Sequence, residues 1–273
     1  MATTMATTVE SAHPGGFALR RFGMMFKADA LMYVREKSAV FWVMVFPILL
    51  MLLFGSIWGN QLLNEADPNS ATFISYLTPG LIVLSLLSNG LIGNATTMST
   101  YREKGILRRI QATPLPVWQL LLSSIIFQSL IMIMQAGVML GVSVLVFNAT
   151  YDFWGLAGAI PAVVFAAVTF MAMGTAVAAL VSKTKTVEVV AQVINVPLMF
   201  LGGLWTPISF LPDWLGGIAK YLPTAMAADL VRAPMLSSLS INATNLPIIV
   251  SIVGLALYLV AAIVIAARFF KWR

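Results

Sequence analysis

Charge is scarce in this chain, and the scarcity is uneven. Only 10% of its 273 residues are Asp, Glu, Lys or Arg, against about 25% in an ordinary soluble domain. Six stretches hold none at all: 38–64, 68–101, 110–151, 153–182, 189–212 and 233–267. Cysteine is absent, which excludes disulfides, thiol nucleophiles and thiolate metal sites while leaving the compartment open. The 16 methionines suggest a Cu(I) path only until one notes that no Cys accompanies them and that the one histidine, His13, lies in a polar tail. Methionine then reads as adaptable apolar packing. No Gly-x-x-x-x-Gly-Lys-Ser/Thr occurs, and Lys183-Thr184 lacks the glycines that would hold phosphates. No stretch is long and polar enough for a separate aqueous catalytic domain.

What remains is apolar: 60% hydrophobic residues and a mean hydropathy of +0.93. Each uncharged stretch has at least 24 residues, and about 20 suffice to cross a bilayer as a helix. Lipid offers backbone groups no partner, so helices or a closed barrel are the options. A barrel needs short alternating segments, whereas these are long continuous runs. The expected fold is an all-α polytopic membrane protein with six transmembrane helices: about 39–59, 73–98, part of 116–147, 154–181, 187–205, and Pro247 to just before Arg268. Lys and Arg favour the cytoplasmic side. An inner amino terminus leaves only Lys220 and Arg232, of the 16 Lys and Arg, on the outside. Trp42, Trp118 and Trp272 then fall at inner ends and Trp58, Trp154 and Trp205 at outer ends, as interfacial indoles should. The expectation is a multi-pass protein of the cell membrane with both termini cytoplasmic. The first apolar run begins after Lys37 and is long enough to stay as a span rather than act as a cleaved signal.

Between the runs, residues 1–16 read as a flexible cytoplasmic tail. Residues 17–37 read as an amphipathic helix on the inner leaflet, with Leu19, Phe22, Phe26 and Tyr33 near one face. An ordinary basic flank is the alternative. Residues 38–273 form the six-span domain. Within it, 206–234 carries Pro207, Pro212, Pro223, Pro234 and Gly216–Gly217, yet stays largely apolar. It is too broken for a straight span and too apolar for a solvated loop. A broken outer-leaflet helical hairpin packed on protein suits it, with a flat surface helix as the rival.

The inner loop 99–116 is the most informative. From Tyr101 it reads Tyr-Arg-Glu-Lys-Gly-Ile-Leu-Arg-Arg-Ile-Gln-Ala-Thr-Pro-Leu-Pro. Ile106, Leu107 and Ile110 have helical spacing, Arg108 and Arg109 present charge, and Pro114 and Pro116 end the helix. Physics alone leaves two options: a short helix gripping a cytoplasmic partner, or a loop that merely fixes topology. The string Arg102-Glu-Lys-Gly105, Leu107-Arg108-Arg109, Ala112-Thr-Pro-Leu-Pro116 resembles the signature loop of type-2 ABC exporter permeases. That family includes daunorubicin-resistance-like and lipo-oligosaccharide exporters, and the resemblance runs from about residue 17 to the end. It implies a short coupling helix after span 2, seated on a separate ABC ATPase, with Arg102, Glu103, Lys104, Gly105, Leu107, Arg108, Arg109 and Pro114 at the contact. It further implies two ATPase copies that hold ATP and Mg, no cofactor on this chain, and a second copy of the permease or a homologue.

Polar side chains at lipid depth each need a partner, a cavity or an interface. Asn89, Asn94, Gln128, Gln135, Gln192 and Asn195 are the candidates. Because the resemblance places spans 1, 2 and 5 around the pathway, Asn89, Asn94, Gln192 and Asn195 become candidates for the pathway or dimer interface, with Pro197 as a kink. Hydrogen bonding within one subunit is the alternative for each. Gly137 and Gly141 are expected to let helices pack closely within the subunit. No carboxylate lies within a span, which argues against proton or sodium coupling. The function implied is ATP-driven export of an amphiphile such as a drug, antibiotic or lipid, by a transport subunit with no enzymatic site. A lipid-linked glycan is the alternative cargo, and an ion-independent secondary transporter or channel the alternative class. Membrane lipid is an expected partner and nucleic acid is not.

Overall fold

The computed structural model describes residues 41–63, 71–106, 117–236 and 246–269, with Gly23 and Leu31 as isolated helical positions. The expected 17–37 helix, those two positions apart, and residues 107–116 of the signature loop lie outside the described residues. The elements are α1 (Phe46–Trp58), entered through a π-helical turn at Phe41–Val45, α2 (Phe73–Glu103), α3 (Val117–Phe147), α4 (Phe153–Leu180), α5 (Thr184–Leu201), α6 (Asp213–Ala219), α7 (Pro223–Met235) and α8 (Ile248–Phe269). Extended structure among the described residues is reduced to one antiparallel bridge, Leu62 with Thr72. Five helices, α2 to α5 and α8, are long and apolar enough to cross a membrane. The first expected crossing is represented by α1, whose 13 residues and the five of the π turn make one helical path from Phe41 to Trp58.

Local chemistry explains the boundaries. Pro47 sits in the first turn of α1, where a missing N–H costs nothing. The Asp152 carboxylate accepts from the Trp154 N–H (3.2 Å) and caps α4. Gly105, at φ +64°, ends α2 in the left-handed conformation that glycine adopts without strain.

The helix α2 is the central post. Every residue from Ile74 to Leu87 is buried, so the helix is covered around its whole circumference by α1, α3, α4, α5 and α7. A π-helical turn at Asn89–Gly93 interrupts it midway. There it crosses α4 backbone to backbone. A Cβ on Gly90 would lie 2.6 Å from Phe170 Cβ, and one on Gly174 would overlap the Gly90 carbonyl. Gly137 and Gly141 behave differently from expectation. A Cβ at either would meet nothing within 4 Å, so neither serves a close approach among the described residues.

The 206–234 segment is a short 3-10 turn (Ile208–Phe210) followed by α6 and α7. The two helices differ. On α6, Trp214 and Ile218 are exposed, whereas α7 is buried from Pro223 to Arg232 against α2, α4 and α8. The second half of this proline-rich segment is therefore core.

Candidate functional site

Three features stand out along α2: a groove on its flank and one arginine clamp at each end. The groove holds about 770 Å³, within the range of pockets that take drug-sized ligands. Its walls come from α1 (Phe46, Leu50, Phe54, Trp58), α2 (Phe73, Leu77, Leu84, Ser85, Ser88, Asn89), the end of α5 (Met199, Phe200) and the following loop (Trp205, Thr206, Phe210). The α1 residues recur every four positions, so one helical face supplies them. Four rings touch in sequence. Phe54 stacks on Trp58 at 5.8 Å, Phe54 meets Trp205 edge-on at 5.3 Å, and Trp58 meets Phe73 edge-on at 6.2 Å. The buried Trp205 Nε1–H has no hydrogen-bond partner. Polar groups collect at the far end of the groove, where Asn89 Nδ2 donates to the Ser85 carbonyl (2.8 Å) and Gln135 Nε2 to Ser85 Oγ (2.8 Å).

The first clamp lies where Arg102, Lys104, Lys183 and Lys185 gather, the basic end. The Arg102 guanidinium donates to the carbonyls of Ala178 (2.8 Å), Val181 (2.6 Å) and Ser182 (2.9 Å) at the carboxyl end of α4. The neighbouring Glu103 carboxylate accepts from the Thr184 N–H (2.7 Å), the first residue of α5. Thr184 Oγ1 also bonds Ser99 Oγ at 3.0 Å. Charge and dipole agree on both sides: the cation meets the negative end of α4 and the anion the positive end of α5. The last turn of α2 is thereby tied to the short turn joining α4 and α5.

The second clamp is at the opposite end. Arg232 of α7 is fully buried. It donates to the carbonyls of Tyr76 (3.3 Å), Gly203 (2.9 Å) and Leu204 (3.4 Å), and its guanidinium lies 3.7 Å from the centre of the Tyr76 ring. Tyr76 itself donates to the Gly203 carbonyl (2.8 Å). Gly80 is required here, because a Cβ would overlap the Leu204 carbonyl and lie 2.7 Å from Arg232 Nη2.

The residues singled out from sequence divide as follows. Asn89 lines the groove. Asn94 turns away from it, is buried, and donates to the Met171 carbonyl (2.7 Å) and Thr175 Oγ1 (2.8 Å) of α4. Asn195 is buried on the inward stripe of α5 with Val187, Ala191 and Leu198, its Oδ1 without a partner. Gln192 and Pro197 are exposed on α5, and the helix continues through the proline. Arg102 and Glu103 form the basic-end clamp, Lys104 is exposed, and Gly105 closes the helix. Leu107, Arg108, Arg109 and Pro114 lie outside the described residues. Among the described residues, no three of His, Cys, Asp and Glu converge as metal ligands. Sequence reading missed the aromatic wall, although the four-residue spacing of Phe46, Leu50, Phe54 and Trp58 signals it. It also counted Arg232 among the outer cations without foreseeing its burial, which a lone arginine within an apolar segment signals.

Residues 20–236, well over half of the chain, match the profile described as ABC-2 type transporter. Among similar proteins, "Putative transport permease YvfS" of Bacillus subtilis (strain 168) is 26% identical over 202 residues, 72% of this chain and 78% of that protein. "Nodulation protein J" of Bradyrhizobium diazoefficiens is 24% identical over 194 residues, 70% of this chain and 72% of the relative. "Probable multidrug ABC transporter permease YbhR" of Escherichia coli (strain K12) is 20% identical over 183 residues, 66% of this chain and 48% of the relative.

Proposed function

This chain belongs to the ABC-2 type transporter family, and from that premise we propose that it is the permease of an ATP-driven exporter of amphiphilic or hydrophobic compounds. Membership makes it a membrane transport subunit that works with an ABC ATPase. The finer features are our reading. The path from Phe41 to Trp58 serves as a sixth crossing, since its 18 helical residues (five and 13) reach about 27 Å. The basic end faces the cytoplasm, as do both termini. Loop 99–116 seats on the ATPase, two copies of which bind ATP and Mg, and two permeases complete the pathway. Asn89, Gln192, Asn195 and Pro197 serve that pathway or the dimer interface, whereas Asn94 is used within the subunit. The segment 206–234 is re-entrant.

One observation carries the proposal: the helix that walls the groove is also the helix that the signature loop continues. Because Glu103 ties α2 to the start of α5 and Arg102 ties it to the turn before, a push on the loop reaches two of the helices that wall the groove together. Movement of the loop on nucleotide binding would widen or narrow the groove without any charged group entering the membrane.

The test is reconstitution with the partner ATPase in proteoliposomes. A Glu103→Ala, Arg108→Ala double variant should insert normally and lose most substrate-stimulated ATP hydrolysis. Normal stimulation in that variant would remove the coupling role. The aromatic wall also suits the sugar rings of a lipid-linked glycan, the second reading, and the next inference separates the two.

A further inference from the structure

We infer that the groove selects its cargo by charge: it takes singly cationic amphiphiles, and it excludes those that carry an anionic group. This rests on the groove being the export path and adds the class of molecule that enters it.

A charge moved from water into an apolar groove needs a partner there, or its desolvation goes unmet. Among the described residues of the wall there is no Lys, Arg or His to meet an anion, and no Asp or Glu. The amide of Asn89 already donates to the Ser85 carbonyl, and the Ser85 hydroxyl to the Leu81 carbonyl (3.0 Å). A phosphate or carboxylate would therefore meet no cationic group, in a wall made mostly of hydrocarbon.

A cation meets something better. The rings of Phe54, Trp58, Phe73 and Trp205 form one connected cluster within the groove. Aromatic faces are negative and attract cations, tryptophan most strongly, and the attraction grows as water is excluded. The Nε1–H of Trp205 is enclosed and has no partner among the described residues, so Trp205 meets cargo through its ring and not as a hydrogen-bond donor. Faces that attract a cation, in a wall with no cationic group to meet an anion, describe one kind of molecule. They count against a lipid-linked glycan attached through phosphate.

A matched pair of dyes tests this. Rhodamine B ethyl ester is a cation; rhodamine B keeps the same xanthylium cation and adds a free carboxylate, so the pair differs by one anionic group. Binding of each to the purified permease in lipid nanodiscs is measured by fluorescence polarisation and corrected against empty nanodiscs. The ester should bind saturably and about tenfold or more tighter than the acid. A Trp58→Leu, Trp205→Leu double variant should lose about tenfold in ester affinity. Trp205→Phe, which keeps a ring, should lose only a few-fold. Equal binding of acid and ester, or ester binding unchanged in the double variant, overturns the inference. If the double variant does not fold, the ester-to-acid ratio of the unaltered protein decides alone. ATP-driven uptake with the partner ATPase separates the two claims. Transport that depends on the groove but accepts both dyes equally defeats charge selection and leaves the export path standing. A retained ester preference in binding, with transport indifferent to every groove substitution, defeats the export path.

Discussion

Arg102 and Arg232 hold the two ends of the same helix by the same chemistry, guanidinium to backbone carbonyl, in opposite surroundings. Arg102 is half-buried at the basic end and grips the last turn of α4, with Glu103 beside it on α5. Arg232 is wholly enclosed, bonded to three carbonyls and laid against Tyr76. Solvent competes for the first set of bonds and not for the second. An exposed charge pair contributes little to stability, whereas removing one member of a buried polar network leaves its partners unmet. The difference assigns the two ends different duties. The far end fixes α2, α7 and the 202–204 turn as one body, and the basic end can release and reform at small cost.

Substitutions can break or sharpen this contrast. The largest effect belongs to Arg232→Met, which fills similar space but removes the donor to the Leu204 carbonyl and one of the two donors to the Gly203 carbonyl. The expected loss is about 3 kcal/mol, read as a lower melting temperature and a lower yield of monodisperse protein. A melting temperature equal to the parent's would show that the buried network is dispensable. Next is Asn94→Leu, which severs the α2–α4 bonds to Met171 and Thr175. About 1 kcal/mol is expected, with the pattern of exported compounds unchanged. A changed pattern would return Asn94 to the cargo path. The smallest effect on stability belongs to Glu103→Gln, since that side chain is exposed. Its melting curve should overlay the parent's while substrate-stimulated ATP hydrolysis falls several-fold. A Gln variant as unstable as Arg232→Met would erase the distinction between the two ends.

Much of the fold was legible because lipid imposes a simple code: charge-free runs of sufficient length become helices. α2 to α5 and α8 follow it directly. α1 follows it less well, because a π turn replaces regular helix over Phe41–Val45 and no residue type announces such a turn. The site was legible only in part. Asn89 and Asn94 look alike in sequence, five residues apart in one span. The intervening π turn and the crossing at Gly90 decide that one faces the groove and the other faces α4. The full burial of Arg232 was not legible because Pro223 and Pro234 suggested a broken hairpin rather than one continuous helix. Pro223 instead starts α7, and Pro234 lies one residue before its end. Gly137 and Gly141 carry a packing signature with no close neighbour among the described residues, since a spacing rule states what contact is allowed and not whether one forms.

The glycine pair at the α2–α4 crossing has a mechanical consequence. With no side chain between the backbones, Gly90 and Gly174 bring α2 and α4 together between the two clamps, where the π turn already breaks the helix. From that point the arm to Glu103 is 13 residues, about 20 Å, and the arm to Phe73 is 17 residues, about 26 Å. Arg232 anchors the long arm, so a pull at the basic end is taken up by the short arm, which bends at the break.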